Sequence, residues 1–563
     1  MKKINSFKIV AAATVLALAL PAVANAAGNS EKMVETAKVS QTNLKDAIVP
    51  VRMIAEAIGA QVKWEQGAKT ITVLRGDTTL VLQIGESTAT VNGKTKDIGQ
   101  KLETKNERAM IPLSFMNEVF TTQLGWNENK IIFEADDYIG RASFFIHDVV
   151  HGTFSASDAN LSPELQKLFQ PQIFQEMWKT YEQNMYGEIG KQISAHVEEN
   201  NVHINATLLY EAKNMPFEVV IRFNKQGQID DFMISPFGPS TSTIYQKPDY
   251  DHKEKYIEQE ITVGEGPFAL PGTLTLPKGE GPFPAVVLVQ GSGPHDRDST
   301  MGGMKPFRDI AVGLAEHNIA VLRYEKITKE HHFKSFDPKM TLKRETVDDA
   351  LKAVALLKDQ KAIDPSKIFV AGHSQGGFAV PMMIESDRDK SIAGAILLAG
   401  PSQKFDALLV EQQEVALERM NQLKMPTEAI KQQEQAAAMW KSIAEMINDP
   451  QYSIDHLPEN FPAGHPYWWF EIRDYIPSEA AKEQKTPMLV MQGENDWQVS
   501  VKQFEGWKAA LKHRQDVEYK LYPKVNHFLT EYDGISIGME YSEPANVPSQ
   551  IIDNIAAWIK KVK

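Results

Sequence analysis

Gly372-His373-Ser374-Gln375-Gly376 fits the pattern G-x-S-x-G. It directly follows the apolar run Ile368 to Ala371, read as a strand, and precedes Phe378 to Ile384, read as a helix. A serine at a sharp strand-to-helix turn sits in a strained backbone with its hydroxyl exposed, and glycines on both sides let the turn close. A serine hydroxyl is a poor nucleophile at neutral pH and needs a base, which an acid must orient. In sites of this kind the partners follow in the order serine, acid, histidine. The acid belongs at the exit of a late strand. Met488 to Gly493 supplies the strand and Glu494-Asn495-Asp496 the exit, so Asp496 is the expected acid, with Glu494 as competitor. The base belongs after the last strand, Val517 to Leu521, which makes it His527; His295 and His373 compete because they lie near the same loops. A tetrahedral intermediate also needs two fixed N–H donors. The expected pair is Gln375, next after the serine, and Ser292 in Gln290-Gly291-Ser292-Gly293-Pro294, with Gly293 as the alternative to Ser292.

The elements that must hold these residues alternate from Tyr256 onward. Ala285 to Val289, Ile319 to Tyr324, Ile368 to Ala371, Ala395 to Leu398 and Met488 to Met491 are continuous apolar runs. Such strands are buried on both faces, which is what a parallel sheet requires. Val347, Leu351, Val354 and Leu357 recur at helical spacing, and Ile551 to Ile559 reads as a closing helix. Between the strands at 395–398 and 488–491 lies an insertion of roughly 80 residues, too long for an ordinary connection. Phe405 to Lys424 and Thr427 to Ile447 read as two helices, followed by Tyr467-Trp468-Trp469-Phe470. These aromatics either line a pocket or form the insertion's own core.

Together, the 290–294 loop with Asp296-Arg297-Asp298, Arg323-Tyr324, the serine motif, Gln492 to Val499 and Asn526-His527 resemble bacterial α/β-hydrolases of the esterase and serine-aminopeptidase-like group. The resemblance covers about Tyr256 to Lys563. It implies an α/β-hydrolase fold with a helical cap at about 403–485. The sequence departs from that group at Gln290, where many relatives carry histidine. It departs again at Tyr324-Glu325-Lys326-Ile327, which lacks the usual aspartate and glycines.

The amino-terminal part contains a repeat. Pro50 and Pro112, and likewise Trp64 and Trp126, are 62 positions apart, and each copy reads strand, short helix, strand. Val39 to Ala135 resembles the copper amine oxidase N-domain-like stalk module of exported bacterial proteins, but no histidine cluster is present to bind copper. Residues 138–240 read as helices followed by alternating strands, which resembles nuclear-transport-factor-like domains. The predicted division is a signal peptide at 1–26, the stalk module at 27–137, an α+β domain at 138–240, a polar linker at 241–255 and the hydrolase at 256–563. The fold class is thus α/β, with two small α+β domains ahead of the hydrolase.

Lys2, Lys3 and Lys8, the apolar run Ile9 to Leu20, and Ala24-Asn25-Ala26 form a secretory pattern. The expected location is secreted or at the cell surface. The 563 residues include no cysteine, which excludes disulfides, thiolate zinc sites and cysteine catalysis. A formal charge of −13 without a basic cluster argues against nucleic acid as a partner. The expected activity is hydrolysis of small or short-acyl carboxylic esters, with neither metal nor organic cofactor required. A cell-envelope polymer is a candidate partner for the stalk module. Two rival readings are a serine aminopeptidase-like peptidase on the same fold and a non-enzymatic surface-binding protein.

Overall fold

The computed structural model describes residues 47–75, 77–127, 130–152, 154, 160–235 and 244–562. The expected signal peptide lies outside them. The described chain divides into two compact units, one within residues 23–239 and one within 240–563.

The second unit is built on an eight-stranded sheet. Its strands are β1 (Tyr256–Val263), β2 (Leu270–Pro277), β3 (Phe283–Val289), β4 (Ala320–Tyr324), β5 (Ile363–His373), β6 (Ile392–Leu398), β7 (Met488–Gly493) and β8 (Val517–Tyr522). The spatial order is β1-β2-β4-β3-β5-β6-β7-β8. Strand β2 runs antiparallel to β1 and β4, and all other pairings are parallel. The apolar runs are continuous because successive residues enter opposite cores. Ala285, Val287 and Val289 of β3 face one core, and Val286 and Leu288 face the other. In β5, Ile368 and Val370 face the first core while Phe369 and Ala371 face the second.

Helices α1 (Pro306–Glu316) and α8 (Ser549–Lys561) cover one face of the sheet. Helices α2 (Asp348–Lys358) and α3 (Gln375–Ser386) cover the other. The insertion after β6 is indeed a helical cap, with the hairpin α4 (Phe405–Gln422) and α5 (Thr427–Asn448), then α6 (Pro466–Ile472). Helix α7 (Val501–Ala510) follows β7.

The polar stretch read as a linker is instead bound to this unit from residue 244 onward. Tyr245 donates its hydroxyl to Asp309 at 2.5 Å, and Tyr250 donates to the Val547 carbonyl at 2.5 Å. Asp251 pairs with Arg308 at 2.8 Å. Aromatic rings bury area while their hydroxyls stay bonded, so a segment of polar composition can still dock. Burial pushes the Asp309 carboxyl up to about 6, against the Tyr245 and backbone hydrogen bonds that favour its charge.

In the first unit, the two copies of the repeat appear as Ile48–Pro50, helix Val51–Ala57 and Gln61–Glu65, and as Arg108–Pro112, helix Leu113–Phe120 and Gly125–Asn127. Pro50 and Pro112 stand at the helix starts, where extended backbone is wanted. The two proline-bearing strands pair antiparallel with each other. A five-stranded antiparallel meander spans 61–97. Residues 138–235 form helices followed by a four-stranded antiparallel sheet, as the alternation predicts. The stalk-like part and this region belong to one compact unit; Glu56 of the first pairs with His147 of the second at 3.4 Å.

Candidate active site

Ser374 stands between β5 and α3 with φ 52° and ψ −118°. A non-glycine residue held at positive φ is strained and persists only where its surroundings fix it. Here the Ser374 N–H donates to the Leu398 carbonyl at 2.9 Å, and Phe378 N–H donates to the Ser374 carbonyl at 2.9 Å. The turn closes only without side chains. A Cβ on Gly372 would lie 2.4 Å from the Gly376 backbone, and one on Gly376 would lie 2.4 Å from the Val289 carbonyl oxygen.

Of the two candidate acids, the structure buries Asp496 and exposes Glu494. Asp496 Oδ2 meets His527 Nδ1 at 2.8 Å. Its Oδ1 accepts the N–H groups of Gln498 and Val499 at 2.8 and 2.9 Å, and Oδ2 also accepts from Gln492 at 3.2 Å. Three donors besides the imidazole hold the carboxylate in one orientation. Both side chains of the pair are almost fully buried, so little water competes for the contact.

The competing histidines occupy supporting positions. His373 points beneath the turn, and its Nε2 meets the His527 carbonyl at 2.8 Å. The two imidazoles lie 4.7 Å apart between centroids. The serine turn is thereby tied to the histidine loop. Burial, and then the neighbouring His527, push the His373 imidazole well below its usual value and keep it neutral. His295 contacts the Ser292 backbone, and burial followed by the Lys326 cation pushes it down to about 3.

Gly291 packs against the turn, since a Cβ there would lie 3.1 Å from Ser374 Cβ. Gly291, whose carbonyl carbon is bonded to the Ser292 nitrogen, is thereby in contact with the serine turn. Gln375 begins α3 and is buried. The Gln290 side chain donates to the Tyr324 carbonyl, so the departure from histidine leaves the loop anchored.

Some supporting residues are not apparent from the sequence. Arg419 of cap helix α4 donates to the carbonyls of Asn495 at 2.7 Å, Ser536 at 2.9 Å and Asp496 at 3.0 Å. Lys326 lies behind the 290–294 loop and donates to the Gly291 carbonyl at 2.7 Å. A buried cation leaves no periodic signature, and contacts with backbone carbonyls leave none at all. The cap aromatics serve mainly as the cap's own core: Trp469 is buried and lies 5.7 Å from Trp440 and 6.0 Å from Phe405 between ring centroids.

Parts of the chain are similar to known proteins. Residues 339–532 match the serine aminopeptidase S33 family, and residues 29–133 match the copper amine oxidase N-terminal domain. The chain is 32% identical over 361 residues to Esterase EstD of Thermotoga maritima, which covers 63% of this chain and 79% of that protein. It is 24% identical over 98 residues to a protease inhibitor of Brevibacillus choshinensis, covering 17% of this chain and 30% of that one. Among solved structures, Est1E from Butyrivibrio proteoclasticus superposes with a TM-score of 0.33 at 17% identity, covering 54% of this chain and 99% of that one. With its eight-stranded sheet, its capped site and this degree of identity to EstD, the chain belongs to the α/β-hydrolase family that includes Esterase EstD.

Proposed function

We propose that the protein is an exported carboxylesterase that cleaves small or short-acyl esters through Ser374, His527 and Asp496. The observation that carries this reading is the 2.8 Å contact of His527 Nδ1 with buried Asp496, on a loop tied to the strained turn that presents Ser374. With Nδ1 donating to Asp496, the other ring nitrogen is the acceptor and can take the serine proton. Ser374 Oγ then attacks the ester carbonyl, and the Ser292 and Gln375 amides hold the oxyanion. His527 returns the proton to the leaving alcohol. Water, deprotonated by the same imidazole, releases the acid and frees Ser374. Asp496 stays ionised throughout and stabilises the imidazolium.

The cap supports the preference for short acyl chains, because its buried Trp469 packs against Trp440 and Phe405 and its helix α4 is bonded to the acid loop. The secretory pattern at 1–26 supports export, and the stalk-like module supports retention at an envelope polymer. The test is a panel of 4-nitrophenyl acetate, butyrate and palmitate with aminoacyl 4-nitroanilides, assayed on the purified chain. Faster turnover of acetate and butyrate is expected. Faster cleavage of the anilides would favour the peptidase reading, and faster cleavage of palmitate would remove the short-acyl preference. Amino-terminal sequencing of the secreted protein should begin at Ala27.

A further inference from the structure

Three side chains, two nearly buried and Trp468 partly buried, link the cap to the loop beside Ser374. Lys326 is 3% exposed and Glu345 is 11% exposed. Lys326 Nζ lies 2.7 Å from Glu345 Oε1 and donates to the Gly291 carbonyl at 2.7 Å. The other carboxylate oxygen, Glu345 Oε2, accepts the indole N–H of Trp468 in α6 at 2.9 Å. Removing a lysine and a glutamate from water is costly, and a buried ion pair commonly gains no net stability over an apolar pair. Its position therefore matters more than its contribution to stability.

The Gly291 carbonyl and the Ser292 N–H belong to one peptide group. A trans peptide is planar, so its C=O and N–H point in opposite directions. A cation that fixes the carbonyl on one side fixes the N–H on the other. A charge-assisted bond to the carbonyl also polarises the peptide and strengthens its N–H as a donor. The turn that carries Glu345, Lys343–Val347, reaches the second expected donor residue as well: Thr346 accepts from the Gln375 side chain at 3.4 Å.

We propose that Lys326, held by Glu345 and through it by Trp468 of the cap, is a positioning residue that aims and polarises the Ser292 N–H toward the oxyanion. The proposal rests on the esterase reading of Ser374. It deepens that reading by giving the cap a role in building the oxyanion site as well as in covering it.

The experiment compares Lys326→Met, Glu345→Gln, Trp468→Phe and Ser374→Ala in the full-length protein. It measures kcat and KM on 4-nitrophenyl butyrate and affinity for an alkyl trifluoromethyl ketone, whose adduct carries an oxyanion. Loss of a whole oxyanion donor costs about 10²–10³-fold in kcat, so Lys326→Met should cost about 30- to 300-fold with KM within about threefold. Ketone affinity should fall by a similar factor, which a purely structural role would not produce. Glu345→Gln and Trp468→Phe should each lower kcat by about 3- to 20-fold with KM retained, since they loosen the arrangement without removing the cation. A folded Lys326→Met with parental kcat, or with lowered kcat and undiminished ketone affinity, would overturn the proposal. If Lys326→Met does not fold, parental kcat in both other variants overturns it instead. Ser374→Ala separates the two ideas. If it is inactive while the others are parental, only the positioning role falls. If it retains activity, the esterase reading of Ser374 falls and this proposal falls with it.

Discussion

Strand β5 of the catalytic unit and strand Ile189–Glu199 of the amino-terminal unit are both eleven residues long, yet they bury very different fractions of themselves. From Ile368 to His373 every residue of β5 is buried, because helices cover both faces of its sheet. Most of Ile189–Glu199 is exposed; it is an edge strand of a four-stranded antiparallel sheet and carries Lys191, Glu198 and Glu199. Charges on an open edge discourage pairing with another chain. The difference separates two uses of a sheet. A strand enclosed on both sides can hold a strained residue at its end, as β5 holds Ser374, because its surroundings cannot relax. An exposed edge strand offers surface without that enclosure. On the proposed reading, the chemistry lies in the enclosed sheet and its cap.

The strongest attempt to break that division is mutation of the buried pair. His527→Ala should lower kcat by on the order of 10⁴-fold or more, and Asp496→Asn by on the order of 10³- to 10⁴-fold, with folding intact. Stopped assays on 4-nitrophenyl butyrate, with thermal melts alongside, check this. Residual activity near the parent value in either variant would move the chemistry elsewhere.

Arg419 is the next point to test. Its three bonds to the carbonyls around Asp496 hold the acid loop from the cap. Displacing a catalytic group by about 1 Å can cost up to 10²-fold, so Arg419→Met should lower kcat by about 10- to 100-fold. Parental kcat in this variant would show that the Asp496 loop is held without the cap.

Truncation sharpens the boundary between the units. A chain beginning at Ile244 should retain kcat/KM on small esters within about twofold, because every residue assigned to catalysis follows it. A chain beginning at Tyr256 loses the Tyr245, Tyr250 and Asp251 contacts and leaves Asp309 buried with fewer partners. At about 1 kcal/mol per hydrogen bond, its Tm should fall by roughly 5–10 °C relative to the longer piece. Equal melting temperatures would restore the stretch to a passive linker. A large loss of kcat/KM in the longer piece would show that the amino-terminal unit takes part in catalysis.

The smallest expected effect lies in the amino-terminal unit. Burial disfavours a charged His147, but Asp148 and Glu56 outweigh it and raise the imidazole to about 9. The folded value is above the usual 6.5, so the pair's stabilisation is fully present below about pH 6.5 and is lost as pH rises through about 9. The group is partly exposed, and its worth is about 1 kcal/mol or less. Melting curves from pH 6 to 10 should show the parent losing a degree or two that His147→Gln never had, while kcat is unchanged. A pH slope identical in both proteins would remove the role of this ion pair.

The strands and the serine turn were legible because their signals are local. An apolar run, two glycines around a serine and the order serine, aspartate, histidine all lie along the chain. Asp496 and His527 follow from their places after strands, and the 2.8 Å contact brings them together as that order implies. The repeat at Pro50 and Pro112 was equally local, and its two strands pair with each other. What the sequence hid was contact between distant segments. Residues 244–255 have the polar composition of a linker, and Arg308, Asp309 and Val547, far along the chain, make them part of the fold. Lys326, Glu345 and Arg419 look like surface charges until backbone carbonyls and an indole from other segments surround them. The Trp468-Trp469 pair could have been pocket or core on composition alone, and packing against Trp440 and Phe405 assigns Trp469 to the core.

The most direct test of the central claim uses a fluorophosphonate probe on the intact protein, with peptide mass mapping and an ester assay on the same sample. The expected result is a single adduct on Ser374, loss of ester hydrolysis in proportion to labelling, and neither labelling nor hydrolysis in Ser374→Ala. An adduct on another serine, or a Ser374→Ala protein that still hydrolyses 4-nitrophenyl butyrate at the parental rate, would contradict it.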